Sequence, residues 1–328
     1  MGLGHVTRDI AIVNNFENIS TSFTTGSGAA KILKKLDLKV QDVYNPPSFV
    51  VANGTLKNPA RWLWNYYQYY KECKNISQKI IQNNIPDLVI SDEDFASLTI
   101  AQDMKIPTVL VTDVLETRFT KGLASFIEKK MNKSMQGIIK KCDIVIIPEK
   151  GDSQDNIRRV GPIVRQTSLT REELREKFSF ERKTIVISIG GTDAGLFLIK
   201  KALDVISKIK QDVEVVLVSG PSVDKKFEDV RDLGFVENLH ELIFAADLII
   251  SLAGKSTIDE ANAYGTPSIF IPIKGHFEQE DNAREQGFVF EDIDRLDELI
   301  LKRLEAKRNQ VNTDGVKIAS DIIKKLMR

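Results

Sequence analysis

The sequence predicts an α/β protein of two Rossmann-like domains facing a cleft, and three observations carry that prediction. Short apolar, β-branched runs ending in small or polar residues alternate with helical patterns along the whole chain, which implies parallel sheets. The alternation falls into two sets, separated over 158–165, where Gly161-Pro162 interrupts regular structure. At 328 residues the chain exceeds what one hydrophobic core usually serves, so about two domains are expected. The boundaries follow as 1–160, 161–310 and a charged closing helix over 311–328.

Taken in order, Gly2-Leu-Gly-His5 reads as a glycine-rich turn leading into a helix over 8–16. The strand that normally feeds such a turn is missing. A doubly wound sheet places that strand at its centre, where its loss leaves backbone groups unpaired. The first domain is therefore expected to lack its first strand, with the true start roughly ten to twenty residues upstream, one strand plus its lead-in. Apolar runs place strands at 19–25, 88–91, 108–112 and 144–147, and helices at 29–36 and 95–104. The second set gives strands at 185–189, 214–219, 248–251 and 268–271, with helices at 196–209 and 257–264.

Composition excludes several classes. The 46 basic residues cancel the 46 acidic ones, so no global field favours nucleic acid. Cys73 and Cys142 are far apart and lack a metal-ligand spacing, which suggests neither a disulfide framework nor a zinc site and favours a reducing, cytoplasmic compartment. No run approaches the roughly 20 apolar residues of a membrane span.

The motifs that carry chemistry lie mostly in the second half. Ile189-Gly-Gly-Thr-Asp-Ala-Gly195 follows a strand and opens a helix, so its backbone N–H groups can face a diphosphate. Ala253-Gly-Lys-Ser-Thr257 resembles the end of a P-loop, but the glycine required five positions before Gly254 is Ile249, which disfavours an ATPase. Glu260, three positions beyond Thr257, can grip ribose hydroxyls or serve only as a helix-start carboxylate. The segment 272–283 reads as a polar loop in which Glu278 and Gln279 suit a sugar's vicinal hydroxyls. Together these point to an enzyme that handles an activated sugar.

The stretch from about 159 to 288 resembles the C-terminal domain of glycosyltransferase family 28. The matching elements are Val160-Gly-Pro-Ile-Val-Arg165, Gly190-Gly-Thr192, Gly234-Phe-Val-Glu-Asn-Leu239, Ala246-Asp247, Gly254 to Glu260, Gly265-Thr-Pro267, Glu278-Gln279 and Asn282-Ala283. The resemblance implies a GT-B fold and an inverting, metal-independent transfer of a hexose or N-acetylhexosamine. The UDP-sugar is a co-substrate, and no other cofactor is implied. It further implies that Glu260 holds the ribose, the backbone at Val236 reads the uracil, and Arg165 with the amides of Gly190, Gly191 and Thr192 meets the diphosphate. The turn Gly254, Lys255, Ser256 and Thr257 joins the donor site, and Glu278 and Gln279 orient the sugar. The family commonly has Asp-Gln or Gln-Gln where this chain has Glu278-Gln279, which leaves the sugar open.

In the first half, Gly2-Leu-Gly-His-Val-Thr-Arg8 resembles the start of an archaeal and bacterial glycosyltransferase branch and also of a UDP-sugar hydrolase. Gly2, Gly4 and Arg8 are then expected on the acceptor side, and His5 becomes a candidate general base. Ser91-Asp-Glu-Asp94 ends a strand, so Asp92 and Asp94 are candidates for acceptor binding or a shared base role, or form a solvated acidic loop. Arg61-Trp-Leu-Trp-Asn-Tyr-Tyr-Gln-Tyr-Tyr70 and the Lys-rich stretch 121–141 fit either core helices or a lipid headgroup boundary. A glycan or lipid-linked acceptor at the inner face of the membrane follows as an expectation, with no nucleic acid partner. Rival readings are a UDP-sugar hydrolase or epimerase, or a non-catalytic nucleotide-sugar-binding subunit.

Overall fold

The computed structural model describes residues 3–122, 124–220, 223, 227 and 230–327. The first half runs α1 (Leu3–Val13), β1 (Phe23–Thr25), α2 (Ser27–Lys35), β2 (Val40–Asp42), a hairpin of β3 (Val50–Ala52) and β4 (Thr55–Lys57), and the long α3 (Pro59–Asn83). It continues with β5 (Val89–Asp92), α4 (Phe95–Asp103), β6 (Thr108–Val111), α5 (Ala124–Lys141), β7 (Ile144–Ile147) and β8 (Ile157–Arg159). The second half runs α6 (Arg171–Lys177), β9 (Lys183–Ser188), α7 (Leu196–Ile206), β10 (Val213–Val218), β11 (Arg231–Asp232), α8 (Leu239–Ala245) and β12 (Leu248–Leu252). It closes with α9 (Lys255–Tyr264), β13 (Ser268–Ile271), α10 (Phe277–Glu285), α11 (Leu296–Leu304) and α12 (Gly315–Leu326).

The second half forms one parallel sheet in the order β11-β10-β9-β12-β13. Its central strands are largely apolar, and Leu248–Leu252 is buried at every position, because helices cover both faces. The chain winds outward from β9 through β10 and then returns to β12 on the other side. The order therefore reverses between β9 and β12, and ligands bind outside the carboxyl ends of the strands at such a point.

The first half carries two separate parallel sheets, β1-β2 and β5-β6-β7-β8, and no strand precedes α1 among the described residues. Helix α1 starts at Leu3, so Gly4 and His5 belong to its first turn and are not a loop ahead of it. Helix α12 crosses back to this half. Its Ala319 and Ile323 pack with Ala11, Ile12, Val109 and Ile146, and Ser320 Oγ donates to the Ile12 carbonyl at 3.1 Å. Between the halves, the β3-β4 hairpin reaches the second domain and exchanges backbone hydrogen bonds with Lys274, Leu56 N to Lys274 O and Lys274 N to Gly54 O, both 2.8 Å.

Candidate active site

The donor side is built at the reversal point. Gly190 leaves β9 with φ +78°, and Gly220 leaves β10 with φ +84°, so close to it that a Cβ on Gly220 would lie 2.2 Å from the Gly190 carbonyl oxygen. Only glycine fits there, and the two turns pack together beneath the cleft. Helix α9 opens at Gly254, so the first-turn amides of Lys255, Ser256 and Thr257 face the same crevice. The start of α1 meets the start of α9, because a Cβ on Gly4 would lie 2.6 Å from Ser256 Oγ. Two helix N-termini, one from each domain, therefore converge on the cleft. The Lys255 ammonium is committed to Asp259 at 2.5 and 2.6 Å, and burial still pushes Asp259 up to about 6.

Glu260 is buried on α9, where Arg165 Nε donates to its Oε1 at 3.0 Å. The same guanidinium donates from Nη1 to the Glu237 carbonyl at 2.7 Å, which ties the inter-domain linker to the loop holding Val236. Arg165 thus positions the carboxylate as well as lining the cavity. Ala246-Asp247 is structural, since Asp247 takes Arg171, Arg175 and the Thr184 amide.

Glu278 and Gln279 lie in the first turn of α10, which corrects the polar loop expected over 272–283. The helix shows no apolar periodicity because only Ala283 is buried, and its N-cap is the imidazole of His276, which burial keeps neutral by pushing it down to about 4. Gln279 Oε1 accepts from the Ile273 amide at 3.1 Å, so its carbonyl is already used. Burial and the charges of Glu93 and Asp113 push Glu278 up to about 7.

The side expected to meet the acceptor is a charge cluster. His5 and Arg8 stand three apart on α1 and share a face. His5 Nδ1 is 2.7 Å from Asp92 Oδ1, while Arg8 donates to both Asp92 oxygens at 2.5 Å and to Asp113 at 2.7 Å. Asp92 ends β5 and Asp113 follows β6, so two neighbouring strand ends supply the carboxylates. Burial opposes charge here, but Arg8 and His5 hold Asp92 well below the usual carboxylate range. Burial likewise opposes the His5 imidazolium, yet Asp92 and Glu93 lift it to about 9.

Of the expected site residues, Gly2 lies outside the described residues, and Asp92 and Asp94 do not line the cavity. Asp94 caps α4, accepting from the amides of Ala96 at 3.0 Å and Ser97 at 3.4 Å, with Tyr44 Oη donating to it at 3.2 Å. The acidic side chain of that trio which enters the cavity is Glu93. Sequence reasoning also missed an aromatic roof joining the domains. Phe49 stacks on Trp62 at 4.2 Å, and Phe119 meets Phe49, His276 and Phe277 at 5.6, 5.5 and 4.7 Å. Phe49 and Phe119 lie in irregular loops, where no periodicity marks a buried face.

These groups enclose one cavity of about 670 Å³ between the two domains, with the donor turns on one wall and the His5 cluster and α3 aromatics on the other. Residues 184–323 match the glycosyltransferase family 28 C-terminal domain. An uncharacterized glycosyltransferase of Methanosarcina acetivorans is 26% identical, with 88% of this chain and 82% of the relative aligned. The UDP-N-acetylglucosamine--N-acetylmuramyl-(pentapeptide) pyrophosphoryl-undecaprenol N-acetylglucosamine transferase of Thermosipho africanus is also 26% identical, with 94% of this chain and 90% of the relative aligned. The crystal structure of Acinetobacter baumannii MurG shares the fold with a TM-score of 0.54 at 15% identity, over 98% of this chain and 96% of that one. The chain is a glycosyltransferase with a GT-B fold, and residues 184–323, which form one side of its cleft, match the family 28 C-terminal domain.

Proposed function

We propose that the chain moves a hexose or N-acetylhexosamine from a UDP-sugar to an acceptor hydroxyl, with inversion and without a metal ion. The observation that carries this reading is Glu260, a buried carboxylate fixed by Arg165 beside the converging N-termini of α1 and α9. A carboxylate there suits a ribose, and the helix ends suit the diphosphate beside it. As the bond to the diphosphate breaks, negative charge grows on the leaving UDP, where preorganised N–H donors stabilise it most. The acceptor hydroxyl enters from the His5 side and attacks the anomeric carbon from the opposite face, which inverts it.

The acceptor wall supports a partly apolar acceptor, since Trp62, Tyr66, Tyr70 and Met135 line the cavity there. The Thermosipho enzyme's printed name gives it a lipid-linked acceptor, which agrees with that wall. No helix among the described residues is long and apolar enough to cross a membrane. Phe126 and Ile127 are 68% and 59% exposed at the start of the Lys-rich α5, which supports peripheral contact with the cytoplasmic face of a membrane.

A panel of UDP-glucose, UDP-galactose, UDP-N-acetylglucosamine and UDP-N-acetylgalactosamine tests the donor reading by thermal shift, since a ligand of the folded state alone raises its melting point. One of them is expected to stabilise the chain, with EDTA making no difference and the product carrying the anomeric configuration opposite to the donor's. UDP released at full rate without any acceptor would replace transfer by hydrolysis. Failure to pellet with anionic vesicles would remove the membrane contact.

A further inference from the structure

Transfer requires a group that takes the acceptor's proton, and the side chain best placed for it is Glu93. This residue follows β5 in a left-handed backbone conformation, φ +60°, which is unfavourable for any side chain with a Cβ. The turn sends three consecutive carboxylates to three places: Asp92 onto Arg8 and His5, Asp94 back onto the α4 N-terminus, and Glu93 into the cleft. Strain of this kind persists where the surroundings over-determine it, and here they do. Glu93 Oε1 accepts from the Asp113 amide at 3.0 Å, and Thr112 Oγ1 lies 3.0 Å from it with its one proton shared between Glu93 and the Val114 carbonyl at 2.9 Å. Its Oε2 is left facing His5 Nε2 at 3.9 Å. That gap is too long for a direct hydrogen bond, but a hydroxyl oxygen set to one side of it lies within about 2.8 Å of both atoms.

We infer that Glu93 is the proton acceptor of the transfer reaction, with the acceptor hydroxyl held between its Oε2 and His5 Nε2. The inference rests on the transferase reading given above. The acceptor's O–H bond breaks, its proton passes to Glu93, and the oxygen bonds to the anomeric carbon. The bond from that carbon to the diphosphate oxygen breaks with its electron pair, UDP leaves, and Glu93 returns the proton to solvent. His5 keeps its proton throughout, donating from Nδ1 to Asp92 and from Nε2 to the incoming oxygen. Its elevated titration near 9 agrees with that role, because an imidazolium at neutral pH has no lone pair to offer. Burial and Asp113 push Glu93 upward, nearer to the range of a working base, while His5 and Arg8 keep it ionisable. The charged and titratable groups around it are His5 and Arg8 on α1, Asp92 on its own strand, Asp113 after β6, Tyr66 on α3 and Glu278 on α10.

The test measures kcat/KM against pH for the wild type, E93Q and E93G, with the four UDP-sugars as donors and water, octyl glucoside and octyl N-acetylglucosaminide as nucleophiles. The wild-type rate is expected to fall on the acid side as Glu93 gains a proton and again near pH 9 as His5 loses its own. E93Q and E93G should lose about 10²–10⁴ in kcat, with donor affinity by calorimetry within about twofold of wild type. Glycine suits φ +60° but gives up the hydrogen bonds that the Glu93 carboxylate accepts, whereas E93Q keeps an acceptor oxygen for them. E93Q is therefore the variant expected to melt with the wild type and to separate lost chemistry from lost fold. An E93Q rate within about fivefold of wild type, or a wild-type rate that climbs through pH 9 to a plateau as a neutral His5 base requires, overturns the Glu93 assignment and leaves the transferase reading standing. A wild type that binds none of the four donors and releases no UDP overturns both.

Discussion

Arg165 carries more of the donor site than a phosphate clamp would. It is hydrogen-bonded to Glu260 and to the carbonyl of Glu237, so the carboxylate proposed for the ribose and the loop of Val236 are set by one guanidinium. E260A should weaken UDP binding by about 10- to 100-fold, the cost of losing charged hydrogen bonds to two hydroxyls. R165A should cost a similar amount through the position of Glu260, and the double variant should fall short of the sum by at least about 1 kcal/mol in a calorimetric cycle, whereas additivity would separate the two roles. Glu260 and Gly190 to Thr192 were legible in the sequence because each follows a strand and a small-residue turn, and the structure brings both to the cleft. The choice among Asp92, Glu93 and Asp94 was not. Three adjacent carboxylates at a strand end are equivalent in a pattern, and the left-handed backbone at Glu93 goes with its being the one that faces the cleft.

At the scale of elements, the long apolar strands were readable, while the short strands β2, β3, β4, β8 and β11 and the polar helices were not. The runs expected at 144–147 and 268–271 are observed as β7 and β13 with the same ends, because continuous apolar residues leave a strand little freedom in a covered parallel sheet. Helix α10 passed for a loop because its polar residues serve the cleft and the solvent, with one buried alanine on its inner side. Helix α3 shows the opposite case. Trp62, Tyr66, Tyr69 and Cys73 recur at helical spacing, and that aromatic face turns inward, while Trp64 is 56% exposed. The contact between the turns after β9 and β10 yields a prediction for the sheet's upper edge. G220A forces a Cβ against the Gly190 carbonyl at an unfavourable φ and should destabilise the chain by about 2–4 kcal/mol in urea unfolding; a change below about 0.5 kcal/mol would show that the turns can separate freely.

For the whole molecule, the contacts that join the two halves were not legible, because they come from loops and from a hairpin with strands of three residues each. Phe119 shows what that joining does. It packs Phe49 of the first half against His276 and Phe277 of the second, and Glu128 holds its loop by accepting from the amides of Phe119 at 2.7 Å and Thr120 at 2.8 Å. F119A should admit more water to the cleft, raising the ratio of UDP-sugar hydrolysis to transfer about threefold or more, and an unchanged ratio would mean that Phe119 does not limit water there. The chain passes between the halves twice, at the linker before Arg165 and again ahead of α12, and these passages are fastened together where Thr313 Oγ1 donates to the Pro162 carbonyl at 2.6 Å. Two adjacent tethers fix an axis, as two pins do for a door, so the halves have one easy direction in which to part. The hairpin bonded to Lys274 is then a latch on that door, since parting the halves there breaks its two backbone hydrogen bonds.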